Sequence, residues 1–291
     1  MKRTFSIVLV LLALVFSACA DDETDAASTA TSPAPEQTTG SPSAEPSEEP
    51  ITFTEVELWF VRPDGVSVAV REVPDEEAIG TRAMTELLNG PSALEAETEM
   101  TTAIPEGTEL LGLDISEGTA TVDLSDEFDD GGGSASMLAR VAQVVYTLTQ
   151  FPTVDAVAFE MEGEPLDTLG GEGLVLEEPQ TRSDHEDELA PIQVLKPAPG
   201  EEFYPGDTII GTANVFEATV SYRLLGPLGQ RLAKGFTTAT CGTGCRGDYE
   251  ETITWIEEAE GIGIVEVFES SAEDGSPIHM VRIPVVLVPA P

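Results

Sequence analysis

Cys241 and Cys245, set in the run Cys241-Gly242-Thr243-Gly244-Cys245, are the residues whose type and spacing most directly suggest chemistry. They could form a redox pair, a metal knuckle or a structural disulfide. Zinc takes four ligands, and the chain has only two histidines, His185 and His279, so no metal site is expected. A redox catalyst of the C-x-x-C type has a shorter spacing. The acids Asp123, Asp126, Glu127, Asp129 and Asp130, followed by Gly131-Gly132-Gly133, first suggest a calcium loop. An EF-hand, however, needs oxygens at alternate positions, a glycine at the sixth and a glutamate at the twelfth, and these do not fall so. A solvated loop feeding a helix is the expectation. No lysine follows the glycines, so they cradle no phosphate. Neither Gly-x-Ser-x-Gly nor His-Glu-x-x-His occurs. Among 54 Asp and Glu residues, a glycosidase-like carboxylate pair carries no information. The chain is therefore expected to have no catalytic residues and no cofactor. Trp59, Trp255 and Tyr222 fall in predicted strands, where core packing accounts for them.

The chain has 291 residues, 54 acidic and 13 basic, for a net charge of −41. Phosphate recognition draws on Lys and Arg that displace counterions, so this charge excludes a nucleic-acid binder. With 41% hydrophobic residues the chain is too apolar to be wholly disordered, and its length suits two domains.

Residues 1–19 read as a secretion signal, with Lys2 and Arg3, an apolar run from Phe5 to Phe16, then Ser17, Ala18 and Cys19. The run is too short to span a hydrocarbon core of about 30 Å. Phe16-Ser17-Ala18-Cys19 resembles a bacterial lipobox, which implies lipidation of Cys19. Each buried CH₂ of the acyl chains would contribute about 0.8 kcal/mol, and two or three chains suffice to anchor an ectodomain to the membrane. Residues 20–50 contain no Val, Ile, Leu, Met, Phe, Tyr or Trp. A segment that cannot bury such groups cannot offset its ordering entropy, so an extended acidic Ser/Thr/Pro stalk is expected. Outside the cytoplasm thiols oxidise, and the glycines of the 241–245 run permit a tight loop, so Cys241 and Cys245 are expected to form a disulfide.

From Thr54 the pattern alternates. Val56, Leu58 and Phe60, then Val66, Val68 and Val70 across Pro63-Asp64-Gly65, predict a β-hairpin. Asp75, Glu76 and Glu77 are expected to supply first-turn acids to a helix with Ile79, Ala83, Met84, Leu87 and Leu88 on one face, closed by Gly90-Pro91. A second hairpin over 110–124 turns at Ser116-Glu117-Gly118. Ser134 is the expected N-cap of a second helix, striped by Leu138, Val141, Val144, Val145 and Leu148 and stopped by Pro152. A last strand carries Val154, Val157 and Phe159. The order ββαββαβ predicts an α+β domain over 51–180. The acidic run 181–190 is expected to be a hinge. Beyond it, alternating runs at 192–195, 208–213, 219–225, 232–238, 252–256, 262–268 and 279–288 predict an all-β immunoglobulin-like sandwich over 191–291.

Several separated motifs in the first domain agree in order and spacing with one family. Glu86-Leu87-Leu88-Asn89-Gly90-Pro91, Ile104-Pro105-Glu106-Gly107-Thr108, Val122-Asp123-Leu124-Ser125 and Thr147-Leu148-Thr149-Gln150-Phe151-Pro152, with Gly163 after the last strand, resemble the GerMN domain over about 52–167. That family is named for spore germination and sporulation, and its members are non-catalytic extracytoplasmic modules. The entry Pro197-Ala198-Pro199-Gly200, the strand Thr219-Val220-Ser221-Tyr222-Arg223-Leu224 and the closing Val281-Arg282-Ile283-Pro284-Val285 resemble the immunoglobulin-like Gmad2 domain. Together these resemblances imply a non-enzymatic lipoprotein on the outer face of the bacterial membrane that binds an envelope protein or a cell-wall polymer. The likeness of GerMN to ring-building modules also implies self-association. The alternative reading is a cell-wall hydrolase or carbohydrate-processing enzyme.

Overall fold

The computed structural model describes residues 52–75, 78–170 and 173–289. The signal and stalk, and with them Cys19, lie outside these residues.

Strands β1 (Phe53–Arg62) and β2 (Gly65–Pro74) form an antiparallel hairpin closed by Pro63-Asp64. It stands as its own two-stranded sheet. One face buries Val56, Leu58, Phe60, Ala69 and Val73 in the domain core. Helix α1 (Ile79–Leu88) adds Ala83, Met84 and Leu87 to that core. Its first turn carries no acid: Asp75 closes the hairpin instead, its N–H donating to the Thr52 carbonyl at 2.8 Å. Glu76 and Glu77 lie outside the described residues.

The segment after Pro91, which shows no periodicity, contains a further helix, α2 (Ala93–Glu97). Five residues cannot sustain a helix by propagation alone. A reciprocal cap holds it: the Glu95 N–H donates to Ser92 Oγ at 3.3 Å, and the Ser92 N–H donates to the Glu95 carboxylate at 2.6 Å. Glu95 also pairs with Arg71 of β2, whose guanidinium reaches Glu86 of α1 at 3.2 Å and lies over the Phe60 ring. Burial by itself raises the Glu95 carboxyl, but the bonds from Arg71 and Ser92 outweigh it and hold the group below its ordinary value. A carboxyl depressed in the folded state contributes stability above its unfolded value of about 4.3, and that contribution disappears as pH falls through the folded value. Denaturation measured across a pH series is thus expected to show Glu95→Gln with a shallower acid limb than the wild type.

Strands β3 (Leu110–Ser116) and β4 (Thr119–Leu124) turn at Glu117 and Gly118, with φ of 52° and 87°. Positive φ at both central residues is the two-residue hairpin turn that matches strand twist. Helix α3 (Ser134–Leu148) then crosses to β5 (Ala156–Met161), which lies parallel to β4. Its N-cap is Gly133, one residue before the expected Ser134. The sheet order is β3-β4-β5-β6, ending in the short β6 (Glu164–Pro165). A small hairpin, β7 (Thr168–Leu169) and β8 (Leu174–Val175), buries Leu169 beneath it. The predicted order of strands and helices is present, with α2 and these short strands added.

The second domain packs two sheets. One comprises β9 (Ile192–Lys196), β11 (Thr208–Ala213) and β14 (Gly247–Thr252), in the order β14-β11-β9. The other has the order β10-β16-β15-β12-β13, built from β10 (Glu202–Phe203), β12 (Thr219–Leu225), β13 (Arg231–Thr238), β15 (Gly261–Ser270) and β16 (Pro277–Leu287). The fifth predicted strand, 252–256, is displaced. Its partner β11 begins at Thr208, opposite Thr252, so the ladder ends there. Ile253 and Trp255 still point inward, Trp255 stacking on Phe203 with centroids 6.0 Å apart, while Ile256 is fully exposed. Tyr222 is buried in the same core.

Candidate functional site

The first hairpin has two open edges, and each is closed by side chains. Along β1, Gln143, Thr147 and Gln150 recur on and just beyond α3 at i, i+4 and i+7. Gln143 Nε2 donates to the Trp59 carbonyl at 2.8 Å, and the Trp59 N–H donates to Thr147 Oγ1 at 3.3 Å. Gln150 both accepts from the Glu57 N–H and donates to the Glu57 carbonyl, each at 2.7 Å. Unpaired edge groups must be satisfied when buried, and here a helix supplies the missing strand. Along β2 the partner belongs to the second domain. Gln193 of β9, 1% exposed, accepts from the Val68 N–H at 2.9 Å and donates to the Val66 carbonyl at 2.8 Å.

The segment between the domains carries 3₁₀ turns over Arg182–Glu188 in place of an open hinge. Its start is fixed to α3. Tyr146 Oη donates to the Arg182 carbonyl at 2.9 Å, Arg182 Nε donates to Thr149 Oγ1 at 2.8 Å, and the guanidinium lies 4.9 Å from the Tyr146 ring centroid and 5.8 Å from that of Trp59. Its end is fixed to the hairpin, since the Ala190 N–H donates to the Val66 carbonyl at 2.9 Å. Leu189 joins Trp59, Val66, Val68, Ala142 and Tyr146 in a small second core on the hairpin's other face. Burial pushes the His185 imidazole below its ordinary value, Asp184 opposing it. Both domains lie within one compact unit of the chain.

Between them opens a cleft of about 340 Å³, walled by Trp59, Tyr146 and Arg182 from the first domain and its connection and by Leu195, Thr212 and Arg246 from the second. Domain interfaces are common places for ligand sites, and the volume is in the range that holds a small ligand. Trp59 and Tyr146 pack with centroids 4.7 Å apart. Burial raises Tyr146 to about 12, so its hydroxyl stays a donor at neutral pH. Burial raises Glu57 against the pull of Arg182, which lies 3.8 Å away. Arg246 Nη2 donates to the Ala190 carbonyl at 3.0 Å, and burial lowers the guanidinium's pKa. Trp59 Nε1 and Arg246 Nε are both buried without a hydrogen-bond partner. Such orphan donors typically cost about 1–3 kcal/mol each. The cleft thus combines hydrogen-bond donors, two cations, two carboxylates and an aromatic wall.

Cys241 and Cys245 are joined as a disulfide, with Cα atoms 5.7 Å apart, and the second half-cystine directly precedes Arg246. Because the closed loop is short, replacing both cysteines by serine is expected to cost only about 2 kcal/mol in denaturant unfolding. His185 is buried in the connection, and His279 lies 3.6 Å from Asp64 at the hairpin tip. The acidic loop before α3 wraps the buried Arg140. Among the described residues no group of three or more His, Cys, Asp or Glu is placed to hold a metal ion. The strand pattern assigns Trp59 to a core, and no local pattern in the sequence marks Tyr146, Arg182, Gln193 or Arg246. The available signal was the polar row Gln143, Thr147 and Gln150 on an otherwise apolar helix.

Residues 57–167 match the Germane family, described as sporulation and spore germination, and residues 191–276 match Gmad2, the immunoglobulin-like domain of bacterial spore germination. No curated protein matches the sequence. Among solved structures, the tandem GerMN domains of the sporulation protein GerM from Bacillus subtilis are 18% identical, with 70% of this chain and 62% of that one covered and a TM-score of 0.40. The first GerMN domain of the same protein is 23% identical, covering 45% of this chain and 99% of that one, with a TM-score of 0.37. CopC from Methylosinus trichosporium OB3b is 15% identical, covering 34% of this chain and 96% of that one, with a TM-score of 0.24.

Proposed function

We propose, from the premise that its two domains belong to the Germane and Gmad2 families, that the protein is a non-enzymatic binding module anchored outside the bacterial cell. The observation that carries this reading is the clasp at the junction. Gln193 of one domain completes the hairpin of the other, so the pair presents a shared surface and a cleft to a partner. Such a clasp suits a module that must hold a fixed geometry while bound.

Anchoring follows from the N-terminal residues. Lys2 and Arg3, the apolar run and Cys19 suit export and lipidation, and among the described residues no helix is long and apolar enough to cross a membrane. The acidic segment 20–50 would hold the folded unit away from the bilayer. Its partner is an envelope protein or a cell-wall polymer, with self-association through the first domain as a further mode, and its setting is spore germination or a related envelope process.

Two measurements test this. In the native host, Cys19→Ser is expected to abolish incorporation of labelled palmitate and to move the protein out of the membrane fraction. Retention of both would overturn the anchor. The protein incubated with peptidoglycan is expected to co-sediment without releasing soluble fragments, whereas turnover would replace this reading with a wall hydrolase.

A further inference from the structure

Most cations of this acid-rich chain are accounted for. Arg71, Arg82, Arg182, Lys196, Arg223 and Arg282 each have a carboxylate within 4.0 Å. Arg140 is served by backbone carbonyls, and Arg231 and Lys234 are exposed to water. Arg62 is buried beside a space of only about 20 Å³, enough for little more than one water. Arg246 differs. It lines a ligand-sized cleft, its Nη atoms are spent on the Ala190 and Pro191 carbonyls, and among the described residues it has no ion pair. Glu186 acts on it only from beyond ion-pair distance. A partly buried charge without a direct counter-charge is costly, and among the described residues no carboxylate pairs with Arg246 directly.

We propose that the cleft binds a small monocarboxylate with a compact apolar body, Arg246 acting as its counter-charge and the Trp59 indole N–H as a hydrogen-bond donor. Charge decides the class. Of the two cations in the wall, Arg182 pairs with Glu57 while Arg246 has no direct carboxylate; because Glu57 and Glu186 already offset both, a singly charged anion leaves an excess of one negative charge and a doubly charged phosphate an excess of two. Shape decides the rest. Val68, Leu189 and Leu195, with the Tyr146 ring, form an apolar lining suited to a side chain of modest size. Trp59 is 4% exposed, its Nε1 facing the Glu57 carboxylate without a well-formed hydrogen bond, and Arg246 Nε is unpartnered in the same wall, so a carboxylate oxygen is an acceptor that both can take. A free N-acylated amino acid and the C-terminus of a peptide present the same group.

The test is calorimetric titration of the full-length chain in nanodiscs with N-acetylphenylalanine, its primary amide, and a tetrapeptide ending in phenylalanine as acid and as amide. The acid is expected to bind saturably and about tenfold more tightly than the amide, a difference of roughly 1.4 kcal/mol. Arg246→Gln removes that preference, while Trp59→Phe, which keeps the ring and deletes the N–H, weakens the acid about threefold to fivefold. Lys234→Gln, on the exposed strand β13, leaves binding unchanged. Unfolding curves superimposable on wild type for Trp59→Phe separate loss of the donor from loss of the fold. If the free acid binds and the tetrapeptide does not, the source is a free metabolite; comparable binding assigns a chain terminus. Equal affinity for acid and amide, or no saturable binding of either, overturns the proposal. The inference rests on the reading of the protein as a binding module, but the two fail separately. Wall co-sedimentation that survives Arg246→Gln, with no carboxylate binding, sinks only the ligand.

Discussion

Replacing Arg140 by methionine is expected to lower the melting temperature by about 6–12 °C, a large effect for a polar side chain. Arg140 is 2% exposed on α3, and its guanidinium organises two loops at once. Nε donates to the Ala103 carbonyl at 3.1 Å, Nη1 donates to the Phe128 carbonyl, and Nη2 is shared between the carbonyls of Asp130 and Gly131, each at 3.1 Å. The planar group also lies over the Phe128 ring, 5.7 Å from its centroid. Methionine fills similar space but leaves these carbonyls without a donor. Those of Asp130 and Gly131, in exposed residues, recover water, whereas that of the buried Phe128 does not, so the net loss is about 3 kcal/mol rather than the sum of four charged bonds. At about 2–4 °C per kcal/mol for a folded unit of this size, that gives the stated range. Arg140→Lys keeps the charge but not the fork, so it is expected to fall between methionine and wild type. Thermal unfolding checks both, and a shift under about 1 °C for methionine would show that the loops hold themselves.

The same loop shows how far local pattern could be read. Its acids were legible as a solvated turn feeding a helix, but the cation they surround sits on that helix some ten residues later, inside what reads as an apolar stripe. Periodicity reveals which face of α3 meets the main core. It hides Ala142 and Tyr146, which pack against a second core, and Gln143 and Thr147, which serve as strand partners. The helix is buried on nearly every side because the hairpin wraps it, and no single-period argument can announce two buried faces. Helix α2 had a legible signal, Ser92 and Glu95 at capping spacing, but one turn of helix is too short to show a hydrophobic period. In the second domain, alternation located the strands correctly where both neighbours persisted. It misplaced β14 because inward-pointing Ile253 and Trp255 continue the pattern past the point where β11 can pair. The cleft was not legible at all. Trp59, Tyr146, Arg182 and Arg246 are distant in the chain, and only the contact between domains brings them together.

That contact hinges on a residue with no side chain, which leads to the second large effect. Gly65→Ala is expected to uncouple the domains, turning one calorimetric transition into two. Gly65 opens β2 with φ of +134°, a backbone conformation that L residues rarely adopt. A Cβ built there would stand 2.6 Å from the Glu188 carbonyl oxygen, 2.7 Å from the Ala190 nitrogen and 2.9 Å from the Leu189 carbonyl carbon. All three are backbone atoms of the connecting segment and cannot rotate aside as a side chain would. The added methyl therefore strains the hairpin turn, by about 1–3 kcal/mol for the backbone alone, or pushes the connection off it. The second course breaks the bond from the Ala190 N–H to the Val66 carbonyl and displaces Gln193, leaving the Val68 N–H without a partner. Each domain keeps its own core, one around Leu58, Leu87 and Val144 and the other around Leu224, Val265 and Leu287, so neither should unfold with the junction. Hydrogen exchange at 188–193 is expected to accelerate, and the cleft to lose its ligand, because its walls come from both sides. Gln193→Leu reaches the same outcome by another route, removing the clasp with no steric clash, at about 2 kcal/mol for the orphaned amide. If both variants melt in a single transition at the wild-type temperature, the domains are not coupled through this hairpin and the cleft is not a fixed feature of the molecule.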